Sequence, residues 1–374
     1  MLGITRRRLL AAAGVGASLL AGAAPAAATS HTSGAASERA RLEVTLLGTA
    51  GGPPPLAGRY GISSALTVNG RTYLVDCGRG AVTQYMRAGL AMPELAGIFL
   101  THLHADHTAD YFQFPLLCAG FQGPMGFQKP IDVFGPGPGG TPSDPPPEKE
   151  WVAPGRPAPG TRELTRLSNL AFAQSSDAFI AEGFGTNPAD LLHVHDLNAP
   201  ASSGAGPDNT APMMKPFTVT ENDDLRVTAV LVPHGAVFPA YAYRFDTDHG
   251  SVVFSGDTAP HPNLITLAHH TDLLVHEVVD LDSAAKTGVP QAVLEHHKKV
   301  HTDITKLGSI AARSEARALA LTHFTPADPR LVSTRAWQRK LQDSARSAHY
   351  SGHLTVGEDL MRIPVTHRRH AARS

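Results

Sequence analysis

Between Thr101 and His107 the chain reads Thr-His-Leu-His-Ala-Asp-His, which puts three imidazoles and one carboxylate within six residues. In an extended segment side chains alternate faces, so His102 and His104 share a side and can grip one ion together. Asp106 and His107 lie beyond, where the chain should turn into a helix, and aim at a neighbouring position. One loop cannot close two ions, and three further candidates stand just past apolar runs. His234 follows Val227–Val232, Asp257 follows Val252–Phe254, and His323 follows Ala318–Leu321. Any one of them alone reads equally well as a turn or capping residue. Three in series point to a shared centre. Imidazole nitrogen and carboxylate oxygen suit Zn2+, with Mn2+ or Fe as alternatives. Twenty histidines stand against two cysteines, so a thiolate cage is excluded.

The elements that must position these residues are legible in outline. Leu42–Leu47 is a strand candidate, and Ile62–Val68 and Arg71–Val75 flank Asn69-Gly70, a strong hairpin signal. Gly97–Leu100 is a short apolar strand that delivers the histidine loop, with helices expected at Ala81–Ala88 and Tyr111–Ala119. Ile131–Phe134 reads as the next strand. From Pro138 to Lys215 the composition turns Pro- and Gly-rich, and the stretch reads as a partly ordered insertion over the surface, with one helix within Leu164–Ala181. Strands are then expected at Leu225–Val232, Tyr241–Phe245, Ser251–Phe254, Leu273–Val275 and Ala318–Leu321, with helices at Asp303–Ser314 and Pro329–Ala345 and a closing strand near Leu354. Periodicity alone supports a mixed α and β domain.

The pattern resembles the metallo-β-lactamase superfamily. Leu47-Gly48-Thr49, Val75-Asp76-Cys77-Gly78, Gly135-Pro136, Leu274-Val275-His276-Glu277 and His301-Thr302-Asp303 are similar to motifs of its ribonuclease Z and arylsulfatase-like branch. The likeness runs from about Leu42 to Ile363. It implies an α/β fold, a four-layer αβ/βα sandwich, with two divalent ions. His102, His104 and His234 would hold the first, Asp106, His107 and His323 the second, and Asp257 would bridge them. Asp76 would support the site without ligating. A metal-bridging hydroxide would attack the ester, Asp106 would orient it, and His301, held by Glu277, would protonate the leaving oxygen.

The remaining sequence narrows the setting. Thr5-Arg6-Arg7-Arg8-Leu9-Leu10, an apolar run to Ala24 and small residues to Ala28 read as a twin-arginine signal peptide over 1–28. A disordered linker over 29–40, a hydrolase domain over 41–366 and a basic tail over 367–374 follow from that reading. The apolar run is too short for a stable membrane anchor. Export places the enzyme outside the cytoplasm and argues against tRNA as substrate. So does the insertion, which carries five basic residues against nine acidic ones. A net charge of −1 and 6% aromatic residues give nucleic acid little to bind. A phosphodiester or related ester of small or medium size is expected, with an arylsulfatase-like hydrolase as the alternative. A lactonase and a non-catalytic metal- or ligand-binding protein are further alternatives, and a homodimer follows by analogy with the branch. His193-Val194-His195-Asp196 reads as a polar segment near the cleft mouth, and Cys77 and Cys118 read as buried thiols.

Overall fold

Two seven-stranded sheets face each other, and the helices cover their outer sides. The computed structural model describes residues 41–366 apart from 121–124, 128, 146, 148–150 and 153–157. The expected signal peptide, linker and basic tail lie outside the described residues. Among those residues, no helix is long and apolar enough to cross a membrane.

The first sheet takes β1 (Leu42–Gly48), β2 (Ser63–Val68), β3 (Arg71–Val75), β4 (Leu95–Phe99), β5 (Ile131–Pro136) and β6 (Leu192–Leu197). The second takes β7 (Phe217–Glu221), β8 (Arg226–Leu231), β9 (Tyr241–Thr247), β10 (Gly250–Phe254), β11 (Leu273–Val279), β12 (Ala318–Thr325) and β13 (His353–Val356). The last strand, β14 (Met361–Pro364), returns to the first sheet and pairs antiparallel with β1. The helices are α1 (Ala81–Arg87), α2 (Ala105–Thr108), α3 (Gln113–Cys118), α4 (Thr161–Ala171), α5 (Ala173–Ala181), α6 (Pro262–Leu267), α7 (Leu281–Ala285), α8 (Gln291–Val300), α9 (Ile304–Arg313) and α10 (Thr334–Ser347).

The hairpin between β2 and β3 turns on Asn69 and Gly70 with φ of 50° and 86°, the left-handed pair that a tight two-residue turn requires. Between the sheets, the Phe99 ring packs 5.1 Å from Phe134 and 5.0 Å from Phe245, centroid to centroid. Leu46, Leu66, Val227, Val252 and Val275 join that layer fully buried. Each such side chain removed from water contributes about 1.5–3 kcal/mol. A second cluster lies under α6, α9 and α10, and a third under α1 and α3. Cys77 and Cys118 are buried free thiols of the third.

Several expectations need correcting. The insertion does not simply lie over the surface: its residues 192–197 form β6, parallel to β5, and complete the first sheet. Leu192 and Val194 pack into the third cluster while His193 and His195 stay exposed on the opposite face. The helix expected within Leu164–Ala181 is two helices that break at Phe172. The edge strands β7 and β14 were absent from the sequence reading, because both are short and only half buried.

Candidate metal centre

Strands β3 to β6 run parallel, and so do β10 to β13. The carboxyl ends of β4, β8 and β10 all open on one edge of the sandwich, where crevices in such sheets form. The chain leaving β4 is pinned before it reaches the histidines. The backbone N–H of Leu100 donates to Phe134 O at 2.8 Å, and that of Tyr241 donates to Thr101 O at 2.9 Å. The histidine loop is thereby tied to both sheets.

His102, His104 and His234 bring three ring nitrogens within 4.8 Å of one another, and Asp106, His107 and His323 form a second such group. Asp257 lies between them. Its Oδ1 is 3.3 Å from His107 Nε2, and its Oδ2 is 3.3 Å from His323 Nε2 and 3.8 Å from His234 Nε2. All seven residues singled out from the sequence therefore converge. His102, His107, His234, Asp257 and His323 are almost wholly buried.

The other ring nitrogens are held from behind. His234 Nδ1–H donates to Val300 O at 3.1 Å, and His107 Nδ1 meets Asp76 Oδ2 at 2.8 Å. Asp76 also accepts from the Thr101 backbone N–H at 2.8 Å and from its hydroxyl, which in turn lies 3.1 Å from His102 Nδ1. Asp76 thus holds the histidine loop from behind, through Thr101 and His107. Its φ of 60° and the 47° of His323 place two non-glycine residues in the left-handed region, each costing about 1–3 kcal/mol. Strain of that kind persists where the surroundings over-determine it.

His323 reaches the site by a device the sequence did not announce. Beside β11 the register steps from Glu277–Thr322 to Val278–Phe324, which leaves His323 as the unpaired residue of a bulge. A bulge re-aims one side chain, here from the strand into the centre. The strand expected to stop at Leu321 therefore continues through Thr325.

Buried polar atoms without hydrogen-bond partners decide what the cluster is for. Within it, His102 Nε2, His107 Nε2 and Asp257 Oδ1 are buried and unsatisfied. Each such atom costs about 1–3 kcal/mol left bare. Divalent cations held by this cluster would give all three a partner, and nitrogen with carboxylate oxygen is a donor set for zinc. Burial pushes His102 well below the usual histidine range, lowers His104 and brings His234 down to about 4. Those rings are kept neutral, the form that ligates. Burial opposes a charge on His107, but the Asp257 and Asp76 carboxylates outweigh it and raise that ring well above its ordinary value. Gly52 closes the far side, where an added Cβ would lie 2.6 Å from Asp106 Oδ2. No larger residue fits there.

Beside the ligands, at the C-terminal end of α8, sits His301, with Nδ1 3.9 Å from Asp257 Oδ2. Its Nδ1 is 3.1 Å from Glu277 Oε1, which also accepts the backbone N–H groups of Thr258 and Thr302, each at 3.1 Å. Glu277 is therefore fixed by three donors and in turn fixes the ring. Burial would lower His301, yet Glu277 outweighs it and lifts the ring to about 9. With Nδ1 engaged, Nε2 is the atom left for the cleft. The neighbouring His276 is buried, with Nδ1 on Glu277 O at 2.7 Å, and takes no place among the ligands.

Relatives carry the same framework through nearly their whole length. "Ribonuclease Z" from Mycobacterium avium (strain 104) is 30% identical over 324 residues, 87% of this chain and 98% of that protein. The chain belongs to the ribonuclease Z branch of the metallo-β-lactamase superfamily. "Ribonuclease Z" from Mycobacterium bovis (strain BCG / Pasteur 1173P2) is 28% identical, covering 88% of this chain and all of the relative. A profile described as "Anti-Pycsar protein Apyc1" matches residues 42–110. Among solved structures, human tRNase Z, short form, superposes with a TM-score of 0.57 at 21% identity, over 86% of this chain and 99% of that one. Zn2+-bound PqqB from Methylobacterium extorquens gives 0.53 at 14% identity, over 86% and 99%. As a member of this branch the chain is a metallo-β-lactamase-fold hydrolase acting on ester bonds.

The sequence reading missed the cleft that lies over the centre. It has a volume of about 590 Å³, and Pro53, Pro54, Pro55, Leu56, Val293 and Leu331 form much of its wall. It also missed Thr101 and the N–H groups of Thr258 and Thr302 as the parts that orient Asp76, His102 and Glu277. Only the position of Thr101, next to the first histidine, could have pointed to it.

Proposed function

We propose that this protein is an exported, binuclear, metal-dependent hydrolase of phosphodiesters of small or medium size. The observation that carries the reading is the convergence of seven candidate ligand side chains, five of them buried, beside a Glu277-held His301, with His104, Asp106, His234, Asp257 and His301 lining one cleft. His102, His104 and His234 would hold one ion, Asp106, His107 and His323 the other, and Asp257 would touch both. Bound there, two divalent ions, Zn2+ first among them, would acidify a water and neutralise charge developing on the ester.

The protein's own groups do the rest. Asp106 Oδ2 stands 3.4 Å from His323 Nε2, so one carboxylate oxygen is committed and the other is free to orient water. His301 presents Nε2–H to the cleft and can protonate the departing oxygen, while Glu277 prevents the ring from turning. The backbone donors on Glu277 make that positioning rigid.

Small size is supported by the cleft, whose volume lies in the range of drug-sized ligand sites. The acidic balance of the insertion supports it too, since a polyphosphate chain would be repelled. Export is supported by Thr5-Arg6-Arg7-Arg8-Leu9-Leu10 and the apolar run after it. A second reading, an RNA-cleaving enzyme, is favoured by the ribonuclease Z relatives. A third, sulfate ester hydrolysis, shares the singly charged tetrahedral centre of a phosphodiester.

The test is turnover of the protein from Thr29 onward on bis-p-nitrophenyl phosphate, p-nitrophenyl sulfate and a short 3′-extended RNA hairpin, with Zn2+ or Mn2+ and after chelation. Chelator-sensitive cleavage of the phosphodiester alone is the expected result. Cleavage of the RNA at a higher kcat/KM, or of the sulfate alone, would replace this reading with the second or the third.

A further inference from the structure

The walls of the cleft differ from its floor. At the floor stand His104, Asp106, His234, Asp257 and His301. Above them Pro53, Pro54, Pro55 and Leu56 form one side, and Val289, Val293 and Leu331 the other. Val293 and Leu331 are 37% and 56% exposed, so two branched apolar side chains stand in water at the rim. Isolated surface residues of this kind are ordinary, but here they face a proline wall across a cavity.

Charge is distributed just as unevenly. No Lys or Arg is among the described residues that line the cleft. Arg330, beside it, is committed to Asp328, with Nε at 3.0 Å from both carboxylate oxygens and Nη2 at 2.6 Å from Oδ2. Asp328 itself lines the cleft and adds a negative charge. A substrate with one negative charge can place it at the metal centre. A second phosphate would find no Lys or Arg there, only Thr287, Thr325, His296 and His297 beside the apolar wall, so its charge is left without a fixed cation.

We propose that the cleft selects singly charged esters with an apolar arm, an aryl or short alkyl group lying between Pro53–Leu56 and the Val293–Leu331 rim. This rests on the phosphodiester reading above and names the substrate class for it. Burial of each added methylene in such a wall should tighten binding about fourfold. An arm extended by a ring should gain at least about tenfold.

The experiment compares diphenyl phosphate with dimethyl phosphate on the metal-loaded protein. Calorimetry reads binding, and hydrolysis of methyl and phenyl p-nitrophenyl phosphates reads turnover. The double variant Val293→Ser, Leu331→Ser is examined in parallel, with metal content and melting temperature as controls for folding. Diphenyl phosphate should bind at least tenfold tighter than dimethyl phosphate, and the double variant should cut that ratio below threefold with metal content unchanged. Equal binding of the two, or a ratio the variant leaves intact, overturns the proposal. If phosphodiesters turn over with one kcat/KM whatever the arm, the substrate class falls and the hydrolase reading stands. If the binding ratio holds but no ester is cleaved, the apolar recess stands and the hydrolase reading falls.

Discussion

Two segments of this chain share the spacing His-x-His and meet opposite fates. His102 and His104 follow β4 out of the sheet, and the nitrogen they turn inward, His102 Nε2, is buried without a partner. His193 and His195 sit inside β6, an edge strand, and remain exposed. His195 Nε2 is 2.8 Å from Asp132 Oδ1 on β5, and its ring stacks on Phe134 at 4.7 Å. In one pair His102 is short of a partner in a buried place and the half-buried His104 meets only His234, whereas His195 of the other is satisfied across the strand in water. Spacing lets two imidazoles share a face. Where the strand ends decides whether that face looks into a protected cavity or into solvent.

The comparison can be broken most sharply by the same substitution at both places. His104→Ala should reduce phosphodiester turnover by more than the roughly 10³-fold lost with one transition-state donor, and should lower bound metal measured by mass spectrometry. His195→Ala should leave both within about twofold, since exposed polar substitutions rarely reach the core. Equal losses at the two sites would end the distinction.

The carboxylates behind the two pairs sharpen it further. Asp76→Asn should weaken metal affinity by about 10–100-fold, the usual effect of a supporting group on a ligating histidine. Asp132→Asn should leave affinity unchanged, as read by competition with a zinc chelator. Metal removal comes next in size. Saturation at 100 times Kd stabilises a folded protein by about 2.7 kcal/mol, so chelation should lower the melting temperature by about 4 °C. The His195→Ala protein should show the same drop and the His104→Ala protein a smaller one. The smallest expected effect is that of Asp132→Ala on stability, within about 1 kcal/mol by denaturant titration, because the pair it breaks is exposed.

The legible part of this molecule was the part where chemistry and burial coincide in the chain. Thr101 to His107 carried its own signal, because ligands crowd a short segment after an apolar strand. His234 and Asp257 could be found as single polar residues after β8 and β10. His323 does join the cluster, but the bulge that aims it was not foreseen, since a bulge is a property of pairing between strands and leaves no mark in one of them. β6 was overlooked although Leu192 and Val194 alternate with the histidines, because proline-rich turns on both sides suggested a surface excursion. The cleft wall was invisible for a plainer reason. Pro53–Leu56, Val293 and Leu331 come from three distant segments that only the folded chain brings together.

The crossing of the last strand has a consequence for how the protein is made. After β13 the chain leaves the second sheet, and Asp359 accepts from Thr49 Oγ1 and from the Tyr60 backbone N–H, each at 2.7 Å, before β14 docks on β1. The outer edge of β1, among the earliest parts of the domain to emerge from a ribosome, thus waits for some of the latest. Contacts so far apart in the chain form slowly. While it waits, that edge is open to pairing with other chains. Completion of the first sheet is therefore a late event in synthesis, and a nascent chain cut before Met361 carries an unguarded strand beside the loop that leads to the cleft.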